Sequence, residues 1–291
     1  SSMNSTVKTR QITRGAMVCA IYGIMLFANQ QFALAIEDGM SWIFAFPILI
    51  YAAQNPSSVA AVCAAAMALE TFLFGGFTTW FYSWTSIVIG YLYGIGIYRR
   101  WSSDIKLVVT FLLSLGSYIF IFWMWAGIFG LDYSADFQMI HEIMPFIDMR
   151  VFLAAIIFVL SLLQTICIHL LATLICIRMK IPTVPVKKIS QLRPNKMVGI
   201  VSIVIGALFF LSQNVLQWNA EVKDIILIAL MIDLCALDYY GILYMLDRSG
   251  RKAQRKRSFF AIFGAFVPGI NAIWIILGEL DCLFDLRKVR G

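Results

Sequence analysis

An all-α integral membrane protein of about eight or nine transmembrane helices is predicted by three features of this 291-residue chain. Hydrophobic residues make up 61% of it and charged residues only 13%, roughly half the charge of an ordinary soluble domain, and the mean hydropathy is +0.83. The apolar residues gather into runs close to the roughly 20 residues that a helix needs to cross a bilayer. The loops between the runs alternate in charge.

The first run, 15–36, follows Lys8, Arg10 and Arg14 and carries no signal-peptide cleavage pattern, so it is expected to remain as a span. The second, 40–54, is short and contains Pro47, which predicts a tilted or incomplete helix. Runs 58–76 and 80–98 are alanine-rich and aromatic-rich respectively, and 107–131 and 150–177 complete a first bundle of six. Between the last two, "LDYSADFQMIHEIMPFIDMR" spaces Phe137, Ile140, Met144 and Ile147 at helical intervals. That pattern predicts an amphipathic helix lying on the membrane face.

A basic linker at 181–196 then divides the chain, because Pro182, Pro185 and Pro194 bar a continuous helix through it. A smaller C-terminal bundle, 197–291, holds runs 197–216, 225–247 and 258–278. Pro268 and Gly269 interrupt the last of these, which either crosses or dips in and returns.

Charge sets the expected orientation. Lys8 to Arg14, Arg99 to Lys106, Arg178 to Lys196 and Arg248 to Arg257 hold every Lys and Arg except Arg150, Lys223, Arg287, Lys288 and Arg290. The alternate loops carry Glu37, Asp38, Asp132, Asp136, Glu142, Asp148, Glu221 and Asp224. By the positive-inside rule the N-terminus is expected in the cytoplasm. The net charge of +7 follows from this topology and implies no nucleic-acid partner.

Polar residues inside the spans mark candidate sites. Asn29, Gln30 and Gln31 are three consecutive amides in the first span; they fan over about 200° of helix and cannot all face one partner. With Gly15 at the inner surface, Asn29 stands roughly 21 Å up the helix. Counted from Ser57, Glu70 lies roughly 20 Å along its own helix, so amides and carboxylate are expected at one depth. Trp80, Trp84 and Trp123 lie among aromatic residues near that level, and aromatic walls with a few placed polar groups suit a small-molecule pocket. Aromatics also form interfacial belts and buried amides also bridge helices; the residues alone leave these alternatives open.

Small residues mark a second candidate. Ala16 and Ala20, like Gly15, Cys19 and Gly23, and like Gly90 and Gly94, recur every four residues and permit close helix approach, either to a partner or within the bundle. His169 reads as a packing residue. Asp233 and Asp238, five residues apart, point about 140° apart and form no shared-face pair. His141 stands among Met139, Met144 and Met149, but at helical spacing such residues pack, and no metal or other cofactor is expected. The six cysteines form no CxxC pair and read as small packing residues. Without HExxH, GxSxG or a P-loop, no enzyme is expected.

Several stretches are similar to a known family. "KTRQITRGAMVCAIYGIM" resembles the first helix of the substrate-binding S components of energy-coupling factor (ECF) transporters. The whole chain resembles the YybS-like family of multi-pass bacterial membrane proteins, related to those S components. "TRGAMVCAIYG", "GYLYGIGIYRR", "CIRMKIPTVPVKKISQLRPNKM" and "ILGELDCLFDLRK" fall in the expected order. The resemblance implies a six-helix S-component-like bundle at 10–180, a family-specific C-terminal part, and a bacterial cell membrane. It implies that Ala16 and Ala20, which match an AxxxA pattern, dock on an ECF-type coupling subunit, and that the loop after helix one gates a ligand pocket. S components end after six helices, so the additional spans depart from the pattern. MreD-type proteins, which serve cell-shape machinery, resemble the same core.

The leading expectation is therefore a substrate-binding protein for a small vitamin-like or aromatic molecule, working with a transport partner. Its binding residues are Asn29, Gln30, Gln31, Glu70, Trp80, Trp84 and Trp123. The other expectation is a membrane scaffold that binds other membrane or cell-envelope proteins.

Overall fold

The computed structural model describes residues 2–145, 148–185, 195–215, 217–251 and 269–287, and among them the regular structure is entirely helical. The chain divides into two compact units, 1–139 with 156–185, and 140–155 with 186–291. The boundary at 155 falls inside a helix, so residues 140–155 group with the C-terminal part and not with the rest of the expected 10–180 bundle.

In the first unit α1 runs Ser2–Gln31, well before the apolar run begins. No Gly or Pro interrupts residues 2–14, and the Thr9 and Thr13 hydroxyls donate back to Ser5 O and Thr9 O. α1 ends before 36, in a turn where Ala33 and Leu34 take φ of 54° and 62° and Leu34 N–H donates to Asn29 O. α2 (Ala35–Met40), a 3-10 turn (Ser41–Ala45) and α3 (Phe46–Gln54) follow. Pro47 sits in the first turn of α3, where its missing N–H costs nothing; the short second span is thus a helix entered through a tighter coil. α4 (Ser57–Phe74), α5 (Phe77–Tyr98) and α6 (Ser103–Gly127) complete the run, and α7 (Ser134–Ile143) is the surface helix expected from the loop pattern. Ile147 lies outside the described residues. Asp132 accepts from both the N–H and the hydroxyl of Ser134 before α7, which holds its carboxyl below the usual range. α8 is Met149–Arg178.

Seven helical segments among the described residues are long and apolar enough to cross a membrane: those of α1, α2–α3, α4, α6, α8, α9 (Lys196–Asn214) and α10 (Ala220–Arg251). The protein is an all-α, multi-pass membrane protein. α5 has 22 residues, enough for about 33 Å, but Trp, Tyr, Thr, Ser and Gly make up much of it. α11 (Ile270–Phe284) has 15 residues. The rest of the expected ninth span, 258–268, lies outside the described residues, as do 186–194, 252–257, Lys288 and Arg290.

Glycines bring the first unit's helices together. A Cβ on Gly90 would stand 2.2 Å from Ala45 O, and one on Gly94 2.6 Å from Leu49 O, so this pair packs α5 on α3 and the turn before it. Gly15 faces Tyr51, whose hydroxyl donates to Gln11 O at 3.0 Å, and Cys19 meets Cys63 with sulfurs 3.9 Å apart. That face of α1 is inside the bundle. Ala16 and Ala20, on the neighbouring face, are exposed. The Tyr93 hydroxyl lies 2.7 Å from His169 Nδ1, which gives the histidine a partner within the core.

In the second unit, α11 approaches the α10 backbone closely at two glycines, and Trp274 packs against Ile242, Met245 and Leu246 beside them. A Cβ on Gly241 would sit 1.9 Å from Trp274 O, and one on Gly278 2.0 Å from Leu237 O. Ser202 of α9 donates to Asp233 of α10 at 2.5 Å, which supplies the internal partner that a mid-span carboxylate needs. Arg287, one of the cations outside the four basic segments, is buried and donates twice to Asp281, at 2.7 and 2.9 Å.

Candidate functional site

The candidate site in the first unit is a buried polar cluster where the end of α1 and α2 meet the start of α5. Asn29 is 0% exposed and Glu37 2%. The αL turn at Ala33 and Leu34 reverses the chain so that the Glu37 N–H donates to Asn29 Oδ1 at 3.1 Å. Thr78 at the start of α5 donates to Glu37 Oε1 at 3.0 Å. Thr79 and Ser83, four residues apart on one face of α5, are both 0% exposed. The Thr79 hydroxyl lies beside the Glu37 carboxylate without reaching hydrogen-bond geometry, and Ser83 lies beside Tyr22 in the same way. Tyr22 in turn meets the Thr71 hydroxyl of α4.

Four polar atoms here are fully buried and make no hydrogen bond: Asn29 Nδ2, Glu37 Oε2, Thr79 Oγ1 and Ser83 Oγ. A buried group left unmade costs roughly 1–3 kcal/mol; with the Asn29 amide and the Thr79 hydroxyl both beside the Glu37 carboxylate, the cluster is expensive unless these groups close on one another or something else meets them. Together they offer an amide donor, a carboxylate acceptor and two hydroxyls that serve either way.

The three amides part as their spacing predicts. Asn29 turns into the cluster, Gln30 reaches toward Gly76, with its Nε2 3.7 Å from a Cβ placed there, and Gln31 is exposed. Glu70 stands elsewhere. Its Oε2 is buried without a partner, and it lies 3.9 Å from a Cβ placed on Gly23. Gly23 is six residues below Asn29, about 9 Å of helix rise. The common depth expected from Gly15 and Ser57 does not hold, because α4 sits lower beside α1 than that alignment assumes: Cys63, six residues on from Ser57, already meets Cys19. Thr71, next to Glu70, makes the contact with Tyr22.

Trp80 and Trp84 stack at 6.3 Å and 12°. Their indole N–H groups donate to Thr71 O and Ala68 O, at 3.1 and 3.5 Å, and Phe72 packs edge-on to both. They tie α5 to α4 next to the cluster. Trp84 also borders a groove of about 340 Å³ with Leu112, Gly116 and Phe120. Trp123 is 58% exposed and stacks on Phe120 at 6.0 Å.

Glu37, Thr79 and Ser83 are absent from the residues singled out by sequence. Glu37 there looks like an outer-loop charge. The available signal was the stripe Thr79, Ser83, Ser86, Gly90, Gly94, a line of small and hydroxyl side chains along one face of α5.

No family model, curated protein or solved structure matches the chain.

Proposed function

We propose that this protein is a substrate-binding membrane protein whose first unit holds a small, vitamin-like or aromatic molecule, and that it acts with a transport partner by binding and not by catalysis. The observation that carries this reading is the set of four unpartnered buried polar atoms between Asn29, Glu37, Thr79 and Ser83, with the Trp80–Trp84 stack beside it. α2 covers the cluster and carries Glu37 into it. Exchange then requires α2 to lift, and the left-handed Ala33–Leu34 turn is the natural place, since such conformations collect at switching segments. Native mass spectrometry of the purified protein tests the reading: a co-purifying small molecule lost on Glu37→Ala supports it, and retention of the same molecule by that variant removes it.

The orientation belongs to the same proposal: a bacterial cell membrane with the N-terminus and the basic loops in the cytoplasm. In intact cells, a cysteine introduced at Lys8 is expected to resist a membrane-impermeant maleimide until the cells are opened. Labelling before opening reverses the topology.

A second reading, an MreD-type scaffold, has one observation in its favour. Ala16 and Ala20 are small, stacked one turn apart and uncovered, as a docking strip for another helix would be, whether on an ECF-type coupling subunit or a cell-envelope protein. Because both alanines are exposed and Ala16 borders an open groove beside Val59 and Val62 of α4, Ala16→Leu with Ala20→Leu is expected to leave the melting temperature within a degree or two, about 0.5 kcal/mol as for surface changes, while abolishing partner co-purification. Loss of the partner with ligand retention intact separates docking from binding. A large fall in melting temperature shows that the strip packs internally.

A further inference from the structure

Three helices of the first unit end side by side. α3 closes at Gln54, α5 at Tyr98 and α8 at Arg178. A groove of about 370 Å³ at these ends is lined by Arg14, Gln54, Arg100 and Lys180, with Tyr98 and Pro182 among the rest, and no lining residue is acidic. Arg14, Arg100 and Lys180 are exposed, and none of them makes a salt bridge among the described residues.

α5 and α8 finish by the same device. Trp101 N–H donates to Gly96 O at 2.8 Å and Ile181 N–H to Cys176 O at 2.9 Å, the long bond of a Schellman close. The residue before each donor, Arg100 or Lys180, has φ of 54°. Glycine holds that position at least cost; here a long cation holds it twice and is turned to the same groove. Each helix end contributes about half a negative charge, so the three cations leave an excess of about one and a half positive charges. Tyr98, Ile177 and Met179 beside it are uncovered and apolar.

We propose that this groove binds a phosphate group of net negative charge, presented by the headgroup of an anionic phospholipid whose chains lie along those apolar residues. Basic pockets between helix ends at a membrane surface suit such headgroups. A soluble phosphate compound has the same chemistry and lacks the chains.

The test uses the full chain in detergent. Native mass spectrometry reads the retention of phosphatidylglycerol against phosphatidylcholine with matched chains, with and without millimolar inorganic phosphate. Arg100→Gly and Lys180→Gly remove one cation each while relaxing the backbone, so melting temperature is expected to hold or rise. Preference for phosphatidylglycerol is expected to fall roughly fivefold for each cation removed, and similarly for Arg14→Gln. Failure of inorganic phosphate to compete identifies the lipid; full competition identifies a soluble phosphate compound and overturns the lipid assignment. Unchanged preference in the triple variant, or no preference in the parent, overturns the site.

Discussion

Gly241→Ala and Gly278→Ala are each expected to collapse the packing of the second unit. A single methyl at either position meets main chain at 1.9 or 2.0 Å, Trp274 O and Leu237 O, and neither carbonyl can rotate away as a side chain does. Overpacking costs typically 1–3 kcal/mol, and backbone-to-backbone contact places these two at or beyond the top of that range. Gly206 of α9 supplies the control, since nothing lies within 4 Å of a Cβ there. Gly206→Ala is expected to be neutral or stabilising by up to about 1 kcal/mol, the helix propensity difference. Thermal unfolding followed by circular dichroism in detergent compares the three. Equal melting temperatures for Gly241→Ala and Gly206→Ala would mean that α10 and α11 are not in contact as described.

Thr79→Val and Ser83→Ala are expected to separate stability from binding. Each removes a buried hydroxyl that lies outside hydrogen-bond geometry to its neighbours, so the variant sheds a desolvation cost of roughly 1–3 kcal/mol and keeps its packing. Melting temperature should hold or rise. Retention of the bound molecule should fall, by up to about tenfold for each hydrogen bond lost. Asn29→Ala behaves differently. It strands the Glu37 N–H that now donates to Asn29 Oδ1, and is expected to lower both melting temperature and retention. A cluster that is only structural predicts stabilised Thr79→Val and Ser83→Ala variants with retention unchanged. That outcome would withdraw the site.

The contrast between these variants shows how far the site was legible beforehand. Asn29 announced itself, because an amide in an apolar run is conspicuous and costly in lipid. Its direction did not, since three adjacent amides cover most of the helix circumference. Glu37 was hidden by its setting in "LAIEDG", next to Asp38, where it reads as an outer charge. Only the turn at Ala33 and Leu34 and the distant Thr78 carry it inward. Glu70 stands out as a carboxylate in an apolar run, yet its level beside Gly23 depends on how far α4 slides along α1, which no single helix records.

By itself the sequence determined the properties that are sums over local segments: helical class, multi-pass membrane character, most span positions and the end of α8 before Pro182. Hydropathy and charge act over about 20 residues, so a linear reading captures them. It also marked the close-packing glycines at Gly90 and Gly94, whose spacing is itself local. The tertiary structure decided which helix each small-residue strip meets, the register of α1 against α4, and the fate of individual charges. Glu37 is buried where sequence made it a loop charge, and Arg287 is buried as well. Register and burial are set by contacts between residues tens of positions apart, such as Thr78 with Glu37 and Ser202 with Asp233. The free energy of such pairs appears only when the helices meet.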